Sequence, residues 1–316
     1  MSNEASVDAP TEERHPGTTT IDTASSLDIL RALNAEDAKV APVVATVLPE
    51  LARLVDRAVA AIRAGGVVHY FGAGTSGRLA VLDAAELLPT FNVSPGLFVA
   101  HHAGGEAALL RAVENAEDDA DAGREAAEAL RAVDIAIGLT ASGRTPFVGG
   151  ALERARERGA TTALVTANPR AELAAHADHL LAADTGPEAL TGSTRLKAGT
   201  AQKLILNAFS TAVMIRLGRT WSNLMVDVVA TNAKLRGRVV RILQEATGAS
   251  EAESRAALDR SHGELKPALL SMLAGIDPDT ARAAIDAHEG SIARALASLR
   301  SPIPEQNDPP LTGDPA

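Results

Sequence analysis

The chain has 316 residues, 46% of them hydrophobic, enough for one large core and something smaller beside it. A net charge of −10 argues against general nucleic-acid binding, and the absence of cysteine excludes disulfides, thiolate nucleophiles and cysteine metal sites. Only 2% of the residues are aromatic, so the core must be Ala, Val and Leu, with no aromatic platform for RNA.

Residues 1–20 are polar and acidic, with no apolar h-region, and read as a flexible arm rather than a secretory signal. No apolar run approaches the roughly 20 residues of a membrane span, and the expected location is the cytoplasm. Ser25 to Ala41 reads as a helix broken by Pro42. A second helix runs from Leu48 to Ala64 and ends at Gly65-Gly66.

The pattern then changes to short apolar runs alternating with helices. The runs are Val67 to Phe71, Leu97 to Ala100, Ile135 to Thr140, Thr162 to Thr166 and a weaker Leu180 to Ala183. Helices are expected from the glycine loop to Leu88 before Pro89, from Glu106 to Glu117, from the end of a loop closing at Pro146 to Arg158, and from Ser193 or Thr194 to Leu217. Such alternation predicts βαβ units and a parallel sheet flanked by helices on both faces, an α/β fold whose ligands bind at the carboxyl ends of the strands. This domain is expected to span residues 21–235. Residues 236–300 read as a small all-helical subdomain with an internal repeat offset by 27: Arg255-Ala256-Ala257-Leu258-Asp259 matches Arg282-Ala283-Ala284-Ile285-Asp286. Residues 301–316 read as a disordered tail.

Three loops share one composition: Gly74-Thr75-Ser76-Gly77-Arg78, Ala141-Ser142-Gly143-Arg144-Thr145 and Thr191-Gly192-Ser193-Thr194-Arg195-Leu196-Lys197. Each places hydroxyls, backbone N–H groups and a cation before a helix, which suits a phosphate monoester on a polyol. Arg78, Arg144, Arg195, Lys197 and Lys203 are expected to cluster there as an anion site. Gly72 to Gly77 fits the dinucleotide spacing G-x-G-x-x-G, but the next strand ends in Ala100-His101-His102 where an acidic residue is wanted. Glu86 and Glu117 are the acid–base candidates, since carboxylates in unlike surroundings can serve as acid and base. The eight histidines show no metal-ligand spacing, and no serine-hydrolase elbow occurs.

With these residues in view, the chain resembles the N-acetylmuramic acid 6-phosphate etherases of the sugar-isomerase domain superfamily. The resemblance covers Tyr70 to Leu79, Leu82 to Glu86, Ala103 to Glu106, Ala116 to Asp118, Ala141 to Val148, Gly186 to Glu188, Thr191 to Asn207 and Asn223 to Asp227. It implies a flavodoxin-like three-layer sandwich. It also implies cleavage of a D-lactyl ether by elimination and water addition, on a phosphorylated amino sugar and without a cofactor or metal. The acid that protonates the departing ether oxygen falls on Glu86, and the second acid–base carboxylate on Glu117. Ser142, Gly143, Arg144 and Thr145 fall on the phosphate loop, with Thr75, Ser76, Gly77, Ser193 and Lys197 near the sugar. A homodimer with sites completed across the interface is implied, the Thr11-Glu12 segment contributing there. His15, Leu87-Leu88 and His101-His102 depart from the family pattern. The competing readings are a non-catalytic phosphosugar-sensing regulator on the same fold, which would need neither carboxylate, and an aldose–ketose isomerase.

Overall fold

A computed structural model describes residues 9–111, 113–228 and 233–300. The chain divides into two compact units, Met1–Arg216 and Leu217–Ala316.

In the first unit, α1 (Ser26–Asp37), α2 (Val40–Ala45) and α3 (Leu48–Arg63) precede the sheet. Ser25 caps α1 by accepting from the Asp28 N–H. The single helix expected to Ala41 is two, and Pro42 lies inside the first turn of α2, where its missing N–H would have had no partner. Helix α3 buries Leu51, Leu54, Val55, Ala58 and Val59 as one stripe.

There follow β1 (Val68–Gly72), α4 (Gly74–Phe91), β2 (Phe98–His102), α5 (Ala107–Leu110), α6 (Ala120–Ala126), β3 (Ile135–Leu139), α7 (Pro146–Glu157), β4 (Thr161–Thr166), β5 (His179–Ala182) and α8 (Lys197–Arg216). The five strands form one parallel sheet in the order β2-β1-β3-β4-β5, with Tyr70 level with Ala100 and Ile137. The expected doubly covered parallel sheet is therefore present. In this order the connections leave β1 and β3 in opposite directions, and the crevice between them is where such sheets bind ligands.

Alternation along β1 feeds both layers. The Tyr70 hydroxyl donates to Asp83 Oδ2 on α4 at 2.9 Å, and Ser210 Oγ on α8 donates to Asp83 Oδ1 at 2.9 Å. Phe71 points the other way, into a core with Leu130, Phe147, Val148 and Leu152. Helices α6 and α7 touch backbone to backbone. A Cβ on Gly150 would lie 2.0 Å from the Ala120 carbonyl oxygen, so only glycine permits this approach.

Two helices differ from their sequence reading. Helix α4 runs through Pro89 to Phe91 and closes on Asn92, whose φ is 50° and whose N–H donates to the Leu88 carbonyl. The helix expected from Glu106 to Glu117 shrinks to α5, because Arg111 is extended and Asn115 takes φ 61°. Glu117 consequently sits on a short 3-10 turn, Ala116–Asp118.

His101 stacks on Phe71, its strand neighbour, with ring centroids 4.6 Å apart, and its Nε2 lies 3.0 Å from His69 Nδ1. Burial, with the charge of His69 adding to it, pushes the His101 imidazole from an ordinary value of 6.5 down to about 4. A histidine held neutral in this way contributes stability above about pH 6.5 that is lost as pH falls through 4. Asp83 is displaced the other way: burial raises its carboxyl to about 6 against the bonds from Tyr70 and Ser210. Its contribution is full below about pH 4 and lost as pH rises through 6, so the two slopes oppose each other. His101→Leu should remove the first slope. Measured by urea unfolding at about pH 7 and about pH 5, the variant is expected to gain about 2 kcal/mol relative to wild type on acidification. A stability difference independent of pH would exclude this role.

The second unit begins with a hairpin, β6 (Thr220–Trp221) and β7 (Leu224–Met225), followed by α9 (Ala233–Thr247), α10 (Glu251–Arg260), α11 (Leu265–Ala274), α12 (Pro278–Ala287) and α13 (Ile292–Arg300). The repeat is two helix pairs, α10–α11 and α12–α13. Ser250 and Glu253 form a capping box on α10, and Asp277 caps α12. Leu243, Leu269, Ile285 and Ile292 anchor the core, with Trp221 and Leu224 packed against it. Because the hairpin joins this core, the division falls at Arg216 rather than near 235. Asp227 ends the Asn223–Asp227 motif and is structural within this unit, pairing with Lys266 Nζ at 2.9 Å. Residues 301–316, expected to be disordered, lie outside the described residues. Among the described residues, no helix is long and apolar enough to cross a membrane.

Candidate active site

A cleft of about 640 Å³ opens at the carboxyl ends of β1 and β3. Thr75 and Ser76, at the start of α4, line it, as do Ser142, Arg144 and Thr145 before α7. Glu117 enters from its 3-10 turn and Thr194 from the loop before α8. The caps of α4 and α7, Ala73 and Thr145, make no side-chain capping bond. The first-turn N–H groups of both helices are thereby left to a ligand in the cleft.

The loop after β3 is held from behind by residues that sequence reasoning missed. Thr140 Oγ1 lies 2.7 Å from Thr145 Oγ1 and accepts from the Gly143 N–H at 3.3 Å. Asn168 Nδ2 donates to the Ser142 carbonyl at 2.9 Å. Gly143 takes φ +74°, and a Cβ there would meet the Ala171 methyl at 2.3 Å. Gly143 thus shapes the loop from below. Gly77 is likewise buried, against Gly72 and the His102 ring, and does not line the cleft. The signal that could have revealed Thr140 and Asn168 is their place at the ends of β3 and β4, where hydroxyl and amide side chains satisfy turn backbone.

The expected cluster of five cations does not form. Arg78 donates to the Leu109 and Ala108 carbonyls at 2.9 and 2.8 Å, tying α4 to α5. Lys197 is buried, its Nζ 2.7 Å from Glu36 Oε2. Arg195 and Lys203 are exposed and line no part of the cleft. Arg144 does line it, 3.1 Å from Glu172 Oε1. An anion here is met chiefly by hydroxyls and N–H groups.

The third loop is braced by carboxylates. Glu188 is fully buried and caps α8, accepting from the N–H groups of Lys197 and Ala198 at 3.0 and 2.9 Å. Burial raises its pKa above the ordinary carboxylate value, against those backbone bonds. At Glu36 burial also pushes upward, but hydrogen bonds from Lys197 and Lys39, with the Lys197 charge, outweigh it and bring the carboxyl to about 2. Helix α8 starts at Lys197, so half-buried Ser193 lies on the preceding turn, where its N–H donates to the Leu190 carbonyl.

The flexible arm expected for residues 1–20 is held in place from Ala9 onward. Thr11 is fully buried, its carbonyl accepting from the Gly192 N–H at 3.3 Å. Thr18 Oγ1 donates to the Ala189 carbonyl at 2.8 Å, and His15 Nε2 lies 3.2 Å from Glu36 Oε1. This strap brings Glu12 to the cleft.

Glu86 is not brought there. It is exposed on α4, between Leu82 and Leu88, which are 48% and 51% exposed. The helix rise from Thr75 to Glu86 is about 16 Å. Among the described residues, no three His, Asp or Glu side chains are grouped to hold a metal ion.

A curated N-acetylmuramic acid 6-phosphate etherase from Thermobifida fusca (strain YX) is 61% identical over 267 residues, covering 84% of this chain and 88% of that relative. One from Pectobacterium atrosepticum is 52% identical over 272 residues, covering 85% and 90%. The chain belongs to the N-acetylmuramic acid 6-phosphate etherase family. Residues 109–212 match the SIS domain model, and residues 50–156 match that of the glucokinase regulatory protein N-terminal SIS domain. A phosphoheptose isomerase structure from Francisella tularensis is 20% identical with a TM-score of 0.50, covering 61% of this chain and all of that one, and shares the fold. Both the family and the fold class read from the sequence are borne out. The loops after β1 and β3 thus meet Thr194 of the third loop in one cleft, which Glu117 lines and Glu86 does not.

Proposed function

We propose that this chain cleaves the D-lactyl ether of N-acetylmuramic acid 6-phosphate, giving N-acetylglucosamine 6-phosphate and D-lactate. The observation that carries the reading is the meeting of Glu117 with Thr75, Ser76, Ser142 and Thr145 in one cleft. Hydroxyls and helix N–H groups at Ser142 to Thr145 hold the phosphate. The ring opens to its aldehyde, which acidifies the C2 proton. Removal of that proton and departure of lactate from C3 leave an unsaturated aldehyde. Water then adds at C3, with its proton taken by a carboxylate. Glu117 is the acid–base group of the cleft in this scheme, and Glu86 gives the departing ether oxygen its proton.

Glu86 lies too far along α4 to act on a sugar bound beside Thr75 in its own chain. A second copy supplies it, in a homodimer with shared sites. The exposed Leu82 and Leu88 beside Glu86 give that contact apolar surface.

The deciding experiment is D-lactate release from N-acetylmuramic acid 6-phosphate by the purified protein, with EDTA present. Release is expected at undiminished rate. Tight phosphosugar binding with no lactate would instead favour a regulator, the reading to which the match with the glucokinase regulatory protein model lends support.

A further inference from the structure

Among the described residues, Glu12 is the one strap residue that lines the cleft. Its backbone is fixed on both sides: by buried Thr11, bonded to Gly192, and by His15, paired with Glu36. The Glu12 N–H donates to the Ala9 carbonyl at 2.9 Å. Its carboxylate oxygen lies 3.1 Å from where a Cβ on Gly192 would stand, so the side chain lies along the third loop. Among the described residues, Glu12 enters neither an ion pair nor a side-chain hydrogen bond. An anchored segment thus delivers an unspent carboxylate to the wall of a phosphosugar cleft.

Charge decides what it meets there. The guanidinium of Arg144 is already balanced by Glu172. A carboxylate next to a phosphate dianion would add uncompensated repulsion in a partly dry cleft. Glu12 must therefore face the part of the ligand that carries hydrogen-bond donors and no charge. On a phosphorylated amino sugar these are the hydroxyls and the acetamido N–H, and a carboxylate, as an acceptor only, suits both.

We propose that Glu12 is a specificity-determining residue that accepts hydrogen bonds from the hydroxyl or acetamido N–H groups of the sugar, at the end of the cleft away from the phosphate loop. The proposal rests on the phosphosugar reading of the site. It places recognition of the sugar on the strap and recognition of the phosphate on the sheet loops.

The test titrates wild type and Glu12→Gln with two probes, N-acetylglucosamine 6-phosphate and inorganic phosphate. The variant is expected to bind the sugar phosphate at least tenfold more weakly, because its amide replaces an acceptor oxygen with a donor, while phosphate affinity changes less than twofold. In turnover, KM should rise more than kcat falls. Glu12→Asp keeps the charge but draws the carboxylate back by one methylene, and should fall between the two. The exposed side chain makes no contact that folding needs, and an unchanged melting temperature verifies this. Unchanged sugar-phosphate binding in Glu12→Gln, or equal weakening of both probes, overturns the proposal. Wild type that binds neither probe would instead overturn the phosphosugar reading, and the role of Glu12 with it.

Discussion

Glu117→Gln is expected to lower kcat by a factor on the order of 10² to 10⁴ while leaving phosphosugar affinity nearly intact. The substitution keeps the size of the side chain and removes its ability to take a proton. Glu117 is exposed on its 3-10 turn, so the fold gives no reason for a stability change. Glu86→Gln should be as severe, for a different reason: it removes the proton that the leaving oxygen needs. The two lesions differ in where they sit. If Glu86 serves the cleft of a second copy, mixing the two inactive variants and letting subunits exchange should restore measurable lactate release. A heterodimer would then hold one intact pair. Two dead variants whose mixture stays dead would place both groups in one chain's site. Full activity in either variant alone would remove that residue from the chemistry.

Lys197→Met should cost about 3 to 5 kcal/mol of folding stability, the usual consequence of taking one partner from a buried ion pair. Glu36 would keep only Lys39, which is largely exposed, and His15. The folded Glu36 carboxyl sits at about 2, below its ordinary 4.5. Its contribution is present above about pH 4.5 and lost as pH falls toward 2, so acidification should narrow the gap between variant and wild type. The double variant Lys197→Met/Glu36→Leu should recover most of the loss, since a well-packed apolar pair is often no worse than a buried ion pair. Urea unfolding checks each form. A single variant as stable as wild type would show that the pair carries no weight. The same loss should also slacken the strap, because His15 is anchored on Glu36.

The sheet was legible because its strands are short apolar runs punctuated by glycine, and each expected strand formed within about two residues. The loops of the cleft were legible because hydroxyls before a helix have a simple chemical use. The cations were not. Composition places Arg78 and Lys197 next to those loops, but an arginine also satisfies carbonyls and a lysine also pairs with a distant acid. Glu36 lies far from Lys197 in sequence, and its Oε2 still takes that ammonium at 2.7 Å. The strap is hidden in the sequence for the same reason. Polar composition reads as disorder, whereas Thr11 and Thr18 are fixed by bonds to Gly192 and Ala189, long-range contacts that no local pattern encodes. The residues before Glu117 favour a helix; Asn115 in the left-handed region instead turns the chain and puts the carboxylate at the cleft.

The scarcity of aromatic rings leaves each unit with one distinct natural fluorophore. The chain has a single tryptophan and a single tyrosine. Trp221 packs on the helical core of the second unit, and Tyr70 is fully buried in the sheet of the first, bonded to Asp83. Long-wavelength excitation therefore reports on the C-terminal unit alone. Tyrosine emission, released from its carboxylate partner on unfolding, reports on the first unit. Whether the two melt together or in turn can be read from the unmodified protein, by comparing two emission bands along one denaturant series.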